Sequence, residues 1–181
     1  MNPLSAYSNA ARENPFLVNG GLGALTAVFG DQVCQRFVEG QSPTDKRRSL
    51  NIALVRFFFA MPWILFWFPV LQRLSPGTDN LSVAKRVLMD LSVGTPVMVF
   101  IVFFGTGLLT GQLFQNPTKT VQRFREQFWA TWAKGVSFWS WFHFFITYRA
   151  PEIYRPLVSI IGSAYWNAVL SYSATRKIKS E

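Results

Sequence analysis

Four ionisable side chains, Asp31, Arg56, Asp90 and Lys134, fall inside or at the margins of long uncharged runs. Each such group costs roughly 2.5–3.5 kcal/mol at the centre of a membrane helix. Together they approach roughly 10 kcal/mol, comparable to the gain of a 20-residue apolar helix at about 0.3–0.6 kcal/mol per favourable residue. They must therefore be paired or wet. If paired, they are register pins, with Asp31 and Arg56 as the expected couple. If wet, they line a polar pathway through a helix bundle, and Gln35, His143 and Asn167 are the further polar groups that would share its walls. The residues alone support both readings equally.

Other chemistry finds little support. His143 is the only histidine and Cys34 the only cysteine, so neither a cysteine-based metal cluster nor an intrachain disulfide can form, and one histidine makes a poor metal site. No Gly-x-Ser-x-Gly elbow occurs. The stretch Gly21-Leu22-Gly23-Ala24-Leu25-Thr26 resembles part of a dinucleotide loop, but it follows no strand and reads better as a helix-packing surface. Asn80-Leu81-Ser82 fits the glycosylation pattern without a secretory signal to make use of it. The expectation is a non-enzyme with no catalytic, cofactor-binding or metal site.

The elements that must hold these residues are membrane helices. Leu91 to Thr118 carries no charge, and charges are also absent from Asn14 to Gly30, Phe57 to Gln72, Gly135 to Tyr148 and Pro156 to Thr175. A helix of about 20 residues crosses the roughly 30 Å hydrocarbon core. The fold class expected is all-α: a multi-spanning transmembrane bundle of four or five helices, with residues 1–181 forming a single membrane-embedded domain. Half of the 181 residues are hydrophobic and 17% are aromatic, a composition hard to keep in solution at this length.

Helix one is expected from Pro15 to Val38, with Gly20, Gly23, Ala27, Asp31, Cys34 and Gln35 on a small and polar face. A polar loop, Glu39 to Arg48, leads to helix two at Leu50 to Leu74, kinked near Pro62. Ser75 to Asn80 is a turn. A long third helix, Ser82 to Phe114, should bend at Gly94-Thr95-Pro96 and offer Gly107 and Gly111 as a contact face. An amphipathic turn from Thr118 precedes helix four at Phe128 to Tyr148. The last segment, Leu157 to Ala174, carries Ser163, Asn167 and Ser171 at four-residue steps.

The net charge of +9 sits in short segments between apolar runs: Lys46-Arg47-Arg48, Lys85-Arg86, Lys119 with Arg123 and Arg125, and Arg176-Lys177 with Lys179. Beside lipid headgroups these are anchors to anionic lipid, which disfavours nucleic acid as a partner. Basic groups flank nearly every run on both sides, so the positive-inside rule fixes no orientation. Neither a signal peptide nor an Arg-rich transit segment is expected from the start of the chain, and its end is not a peroxisomal tripeptide.

Gly30-Asp31 with Gln35, Pro62 followed by Trp67-Phe68 and Leu71, Pro76-Gly77, Lys85 with Asp90 and Pro96, Trp139, Pro151 with Tyr154-Arg155, and Trp166-Asn167 with Leu170-Ser171 appear in an order and spacing that resemble the Mpv-17 and 22-kDa peroxisomal membrane protein family. The resemblance extends from about Tyr7 to Tyr172. The chain departs from the family pattern at Met61, Leu91, His143, Ile146 and Val169, where relatives tend to show Gly, Gln, Gln, Asn and an aromatic. A polar pathway in relatives would have altered chemistry here.

The resemblance implies a small multi-spanning protein of the mitochondrial inner membrane or, as the alternative, the peroxisomal membrane. It also implies a weakly selective channel for small solutes, without enzymatic activity. The competing function is a non-transporting scaffold that stabilises partner complexes. Expected partners are the lipid bilayer, its anionic lipids included, and small solutes. Assembly into a homo-oligomer is left open.

Overall fold

Proline and capping residues set most of the helix boundaries. The computed structural model describes residues 3–148 and 155–175. Pro151, Tyr154, Arg176, Lys177 and Lys179, named above, lie outside them. Helix α1 (Pro3–Glu13) precedes α2 (Pro15–Val33), which starts on Pro15 as expected and continues through a wide π turn, Cys34–Val38. Next come α3 (Lys46–Val55), a π turn (Arg56–Ala60) and α4 (Met61–Leu74), one continuous rod. A second rod joins α5 (Asn80–Met89), a π turn (Asp90–Gly94) and α6 (Thr95–Leu109). The short α7 (Gln112–Gln115), the long α8 (Pro117–Tyr148) and α9 (Arg155–Thr175) complete the order.

Pro62 and Pro96 each follow a π turn that begins six residues before them. A proline has no N–H for the carbonyl four residues back, here Phe58 or Ser92, and its ring crowds that carbonyl. Widening the preceding turn relieves the crowding, and these π turns lie where the sequence leads one to expect kinks.

Three boundaries differ from the sequence reading. The second helix starts earlier, at Lys46, because the Asp45 carboxylate accepts the Arg48 backbone N–H at 3.0 Å and caps the first turn. The third ends at Leu109 rather than Phe114: Gly111 takes a φ of +73°, a left-handed turn that stops the helix. Gly111 therefore makes no helix-contact face with Gly107, which instead packs against Thr120 of α8. The amphipathic turn and helix four merge into the single 32-residue α8.

The core gathers Val55 and Ala60, Met98, Val99, Val102 and Phe103, and Trp166, Leu170 and Ala174, with Phe124 and Phe128 of α8 against it. Helix α9 lies along α2, and Gly30 makes the closest approach: a Cβ there would collide with the Ala164 carbonyl and stand 2.9 Å from the Ala168 nitrogen. The two rods, Lys46–Leu74 and Asn80–Leu109, are each long and apolar enough to cross a bilayer. Their most apolar windows are only 22% and 33% buried within the protein, whereas the core helix of a soluble protein would be mostly covered. Leu25, Phe29, Phe58, Phe66, Phe100, Trp129 and Ile161 are likewise exposed. Outward-facing side chains of this kind suit hydrocarbon.

Candidate functional site: a buried ion cluster and an inter-helix cavity

The sequence-expected polar residues separate into two groups. The first is built on Asp31, fully buried on α2. Its Oδ2 accepts from Gln35 Nε2 at 2.7 Å and from Ser49 Oγ at 2.6 Å, while its Oδ1 accepts from the Ser171 hydroxyl of α9. Arg48 Nε lies 3.0 Å from Oδ1, within ion-pairing distance though off the line of a hydrogen bond. The same guanidinium clasps Glu39 with both terminal nitrogens, at 2.6 and 2.8 Å, and donates to Ser171 Oγ at 2.9 Å. This paired donation holds the Glu39 carboxyl below the usual carboxylate range.

The expected Asp31–Arg56 pair does not form; Arg48 takes that place. Because α3 begins at Lys46, Arg48 and Ser49 lie on its first turn, facing the end of α2, and Arg56 sits two turns further along the rod. Sequence reasoning missed Arg48, Ser49 and Glu39 by assigning them to a loop or its edge. Asp45, an Asx residue three positions before Arg48, was the signal for a helix start. One seam was readable: Ser171 reaches Asp31, and Asn167, four residues earlier, donates to Thr26 Oγ1 at 3.3 Å. Gln35 is fully buried beside Asp31. At its centre Asp31, Gln35 and Ser171 are fully buried, and a cluster of this kind holds helices in register.

The second group surrounds open space. A cavity of about 530 Å³ lies between α1, α2, the two rods, α8 and α9, and its wall includes Arg56, Asp90, His143, Trp63, Trp67 and Trp166. A neighbouring cavity of about 750 Å³ shares Phe68, Pro69, Asp90 and His143 with it and extends to Gln72, Arg73 and Arg86. Asp90 is half-buried and held by Trp67 Nε1 at 2.8 Å. Gly94 permits that bond, since a Cβ there would collide with Asp90 Oδ1. His143 stacks obliquely against Trp139, centroids 5.5 Å apart. Arg56, Asp90 and Gln35 each fall within one of the three π turns, an irregularity that often marks functional positions. Lys134 belongs to neither group: it is exposed on α8. Among the described residues no three His, Cys, Asp or Glu side chains converge to hold a metal.

An all-helical membrane protein with a buried ion cluster and a polar-edged cavity between its helices is the class these features define. No protein-family model and no solved structure matches the chain. It is similar to the Mpv17-like protein of Xenopus laevis, 25% identical over 92% of this chain and 80% of that one. It is also similar to the mitochondrial inner membrane protein Mpv17 of Bos taurus, at 27% identity over 94% of this chain and 97% of that one. The Homo sapiens protein of the same name is 25% identical over the same shares. The chain is thus similar over nearly its whole length to Mpv17 and Mpv17-like proteins, of which the Mpv17 relatives are named as mitochondrial inner membrane proteins.

Proposed function

We propose that the protein is a passive, weakly selective channel for small solutes of the mitochondrial inner membrane, without enzymatic activity. The carrying observation is the pair of cavities that meet at Asp90 and His143, with Arg56 on one side and Arg86 on the other. Polar groups placed this way line a route that a small hydrated solute can follow between apolar helices. The pathway proposed here runs past Arg56, Asp90 and His143 and leaves out Asp31 and Gln35, whose polar atoms are taken up by the buried cluster.

In this reading the whole chain is one membrane-embedded unit. The rods Lys46–Leu74 and Asn80–Leu109 are two of its four or five spans, and α2, α8 and α9 supply the rest. Its basic loops meet anionic lipid. Accessibility of tags at the two chain ends counts the spans: ends on the same side require an even number. Purified protein in planar bilayers tests the function. Reproducible conductance steps support it, and silence across lipids and redox conditions overturns it in favour of a scaffold. The Asp31–Arg48–Glu39 cluster is the observation that favours the scaffold, because it acts only as a register pin.

A further inference from the structure

Arg56 and Arg48 lie eight residues apart on one rod in opposite circumstances. Arg48 is held between two carboxylates. Among the described residues Arg56 has no carboxylate within ion-pairing distance, its Nε is buried without a hydrogen-bond partner, and its Nη1 meets only the Met98 sulfur at 3.6 Å. Three polar side chains on the cavity wall bond to groups other than Arg56. Asn19 bonds Tyr7 and the Pro15 carbonyl, Thr26 bonds the Gly23 carbonyl and Asn167, and Asp90 bonds Trp67. The arm lies along α2 at Gly23, where a Cβ would stand in ordinary van der Waals contact, 3.5 Å from Arg56 Cγ and Nε.

A guanidinium keeps its charge, and in an apolar wall it draws a counter-ion. Here it borders a cavity of about 530 Å³, within the usual range for a small-molecule site. Its planar fork fits a carboxylate or phosphate through two parallel N–H···O bonds. The rings of Trp63 and Trp67, stacked 12° from parallel at 5.3 Å, offer apolar cover beside it. We propose that this cavity binds a small organic oxyanion, a carboxylate or a phosphate ester, seated on Arg56. Asp90 on the same wall opposes the added negative charge and limits the affinity, as suits a site that must release what it takes up. The inference rests on the channel reading for its consequence in transport only, because binding needs no conduction.

The test uses the full chain purified in an uncharged detergent and titrated with phenyl phosphate and with benzoate, read by tryptophan fluorescence and thermal midpoint. Saturable binding is expected, weakened at least about tenfold in Arg56→Gln and partly retained in Arg56→Lys. It should be tightened about two- to tenfold in Asp90→Asn, which removes the opposing charge. Lys134→Gln, altered on the exposed face of α8, should bind as the parent does. The same oxyanion chemistry is available from a lipid headgroup. Arg56-dependent retention of phosphatidylglycerol in native mass spectrometry, blocking phenyl phosphate, assigns the site to lipid; binding of phenyl phosphate to lipid-free protein assigns it to a soluble solute.

Either assignment supports the oxyanion site. It is overturned if neither probe binds and no phosphatidylglycerol is retained through Arg56, or if a folded Arg56→Gln binds as well as the parent. Should Arg56→Gln fail to fold, unchanged or weaker binding in Asp90→Asn overturns it equally. Binding without conductance would sink the channel alone, and conductance without Arg56-dependent binding would sink this site alone.

Discussion

Arg48 on α3 joins Asp31 of α2 to Glu39 just beyond the π turn, lying 3.0 Å from the first carboxylate and 2.6 and 2.8 Å from the second. One cation thus ties the end of the first long helix to the start of the next rod, and Ser171 brings α9 to the same point. Removing Arg48 strands two carboxylates, one of them with no solvent exposure. Arg48→Gln should cost about 3–5 kcal/mol of stability. Asp31→Asn should cost less, because Arg48 keeps Glu39. The double variant should recover part of the loss, whereas Arg56→Gln combined with Asp31→Asn should show simple additivity. Thermal midpoints in one detergent supply all four legs of each cycle.

The same clasp gives the protein an acid limb. Glu39 titrates below the usual carboxylate range because Arg48 donates to its charged form. A carboxylate with a depressed folded-state value contributes stability in full above its unfolded value of about 4.3, and loses it as pH falls through the lower folded value. Stability of the parent should therefore decline below about pH 4, and Glu39→Gln, lower throughout neutral pH, should decline less steeply. Parallel acid limbs in the two proteins would remove Glu39 from this role.

Helix packing makes a sharper contrast at two glycines of α2. A Cβ on Gly30 collides with the Ala164 carbonyl and stands 3.2 Å from Asn167 Cβ, while one on Gly21 meets nothing within 4 Å. Backbone atoms cannot swing aside, so Gly30→Ala must push α9 off α2 at about 1–3 kcal/mol and loosen the Asp31–Ser171 contact with it. Gly21→Ala should instead gain up to about 1 kcal/mol from helix propensity. Equal thermal midpoints for the two variants would mean that α9 does not seat on α2 in this way.

The resemblance and the polar spacing carried much of this arrangement in the sequence. Ser163, Asn167 and Ser171 recur every four residues, and two of the three bond across to α2. Pro15, Pro62 and Pro96 mark a helix start and two π turns through proline's ring and missing N–H, whereas Pro69 sits inside α4 without such a turn. The partner of Asp31 was not legible. Choosing between Arg48 and Arg56 depends on where α3 begins, a matter of one capping carboxylate, and on how the loop after Cys34–Val38 turns back. Gly107 and Gly111 misled for a similar reason. Spacing alone does not reveal that Gly111 takes a positive φ, and a helix that has ended cannot present an i, i+4 face. The cavity lay beyond sequence reasoning because its wall draws on six helical segments, from Tyr7 of α1 to Trp166 of α9.

Trp67 and Gly94 together hold Asp90 at the junction of the two cavities. Trp67→Phe keeps most of the ring and removes the 2.8 Å bond to Asp90; with the carboxylate released toward the open space, stability should fall by about 1–2 kcal/mol. Gly94→Ala should do the same by displacing Asp90 directly, since its Cβ would overlap that carboxylate. Both should change the single-channel conductance in the same direction. A change in one without the other would separate the indole's own packing from its hold on Asp90.

The division into a buried cluster and an open cavity makes a prediction about ion selectivity that the sequence reading would have placed elsewhere. Asp31 was expected either to pair with Arg56 or to line a polar pathway, yet it is fully buried and its oxygens are engaged by Gln35, Ser49, Arg48 and Ser171. Asp31→Asn should alter stability and leave the reversal potential across a salt gradient where it was. Fixed charges beside a narrow aqueous route bias the ions that enter it, cationic groups favouring anions and carboxylates favouring cations. Arg56→Gln should therefore move the reversal potential toward cations and Asp90→Asn toward anions, by opposite signs in the same bilayer. The opposite signs also guard against misfolding, since a general loss of structure would abolish conductance or shift both variants alike. If Asp31→Asn shifts selectivity in a stable, conducting protein while Arg56→Gln and Asp90→Asn do not, the solute path follows the ion cluster and not the cavity.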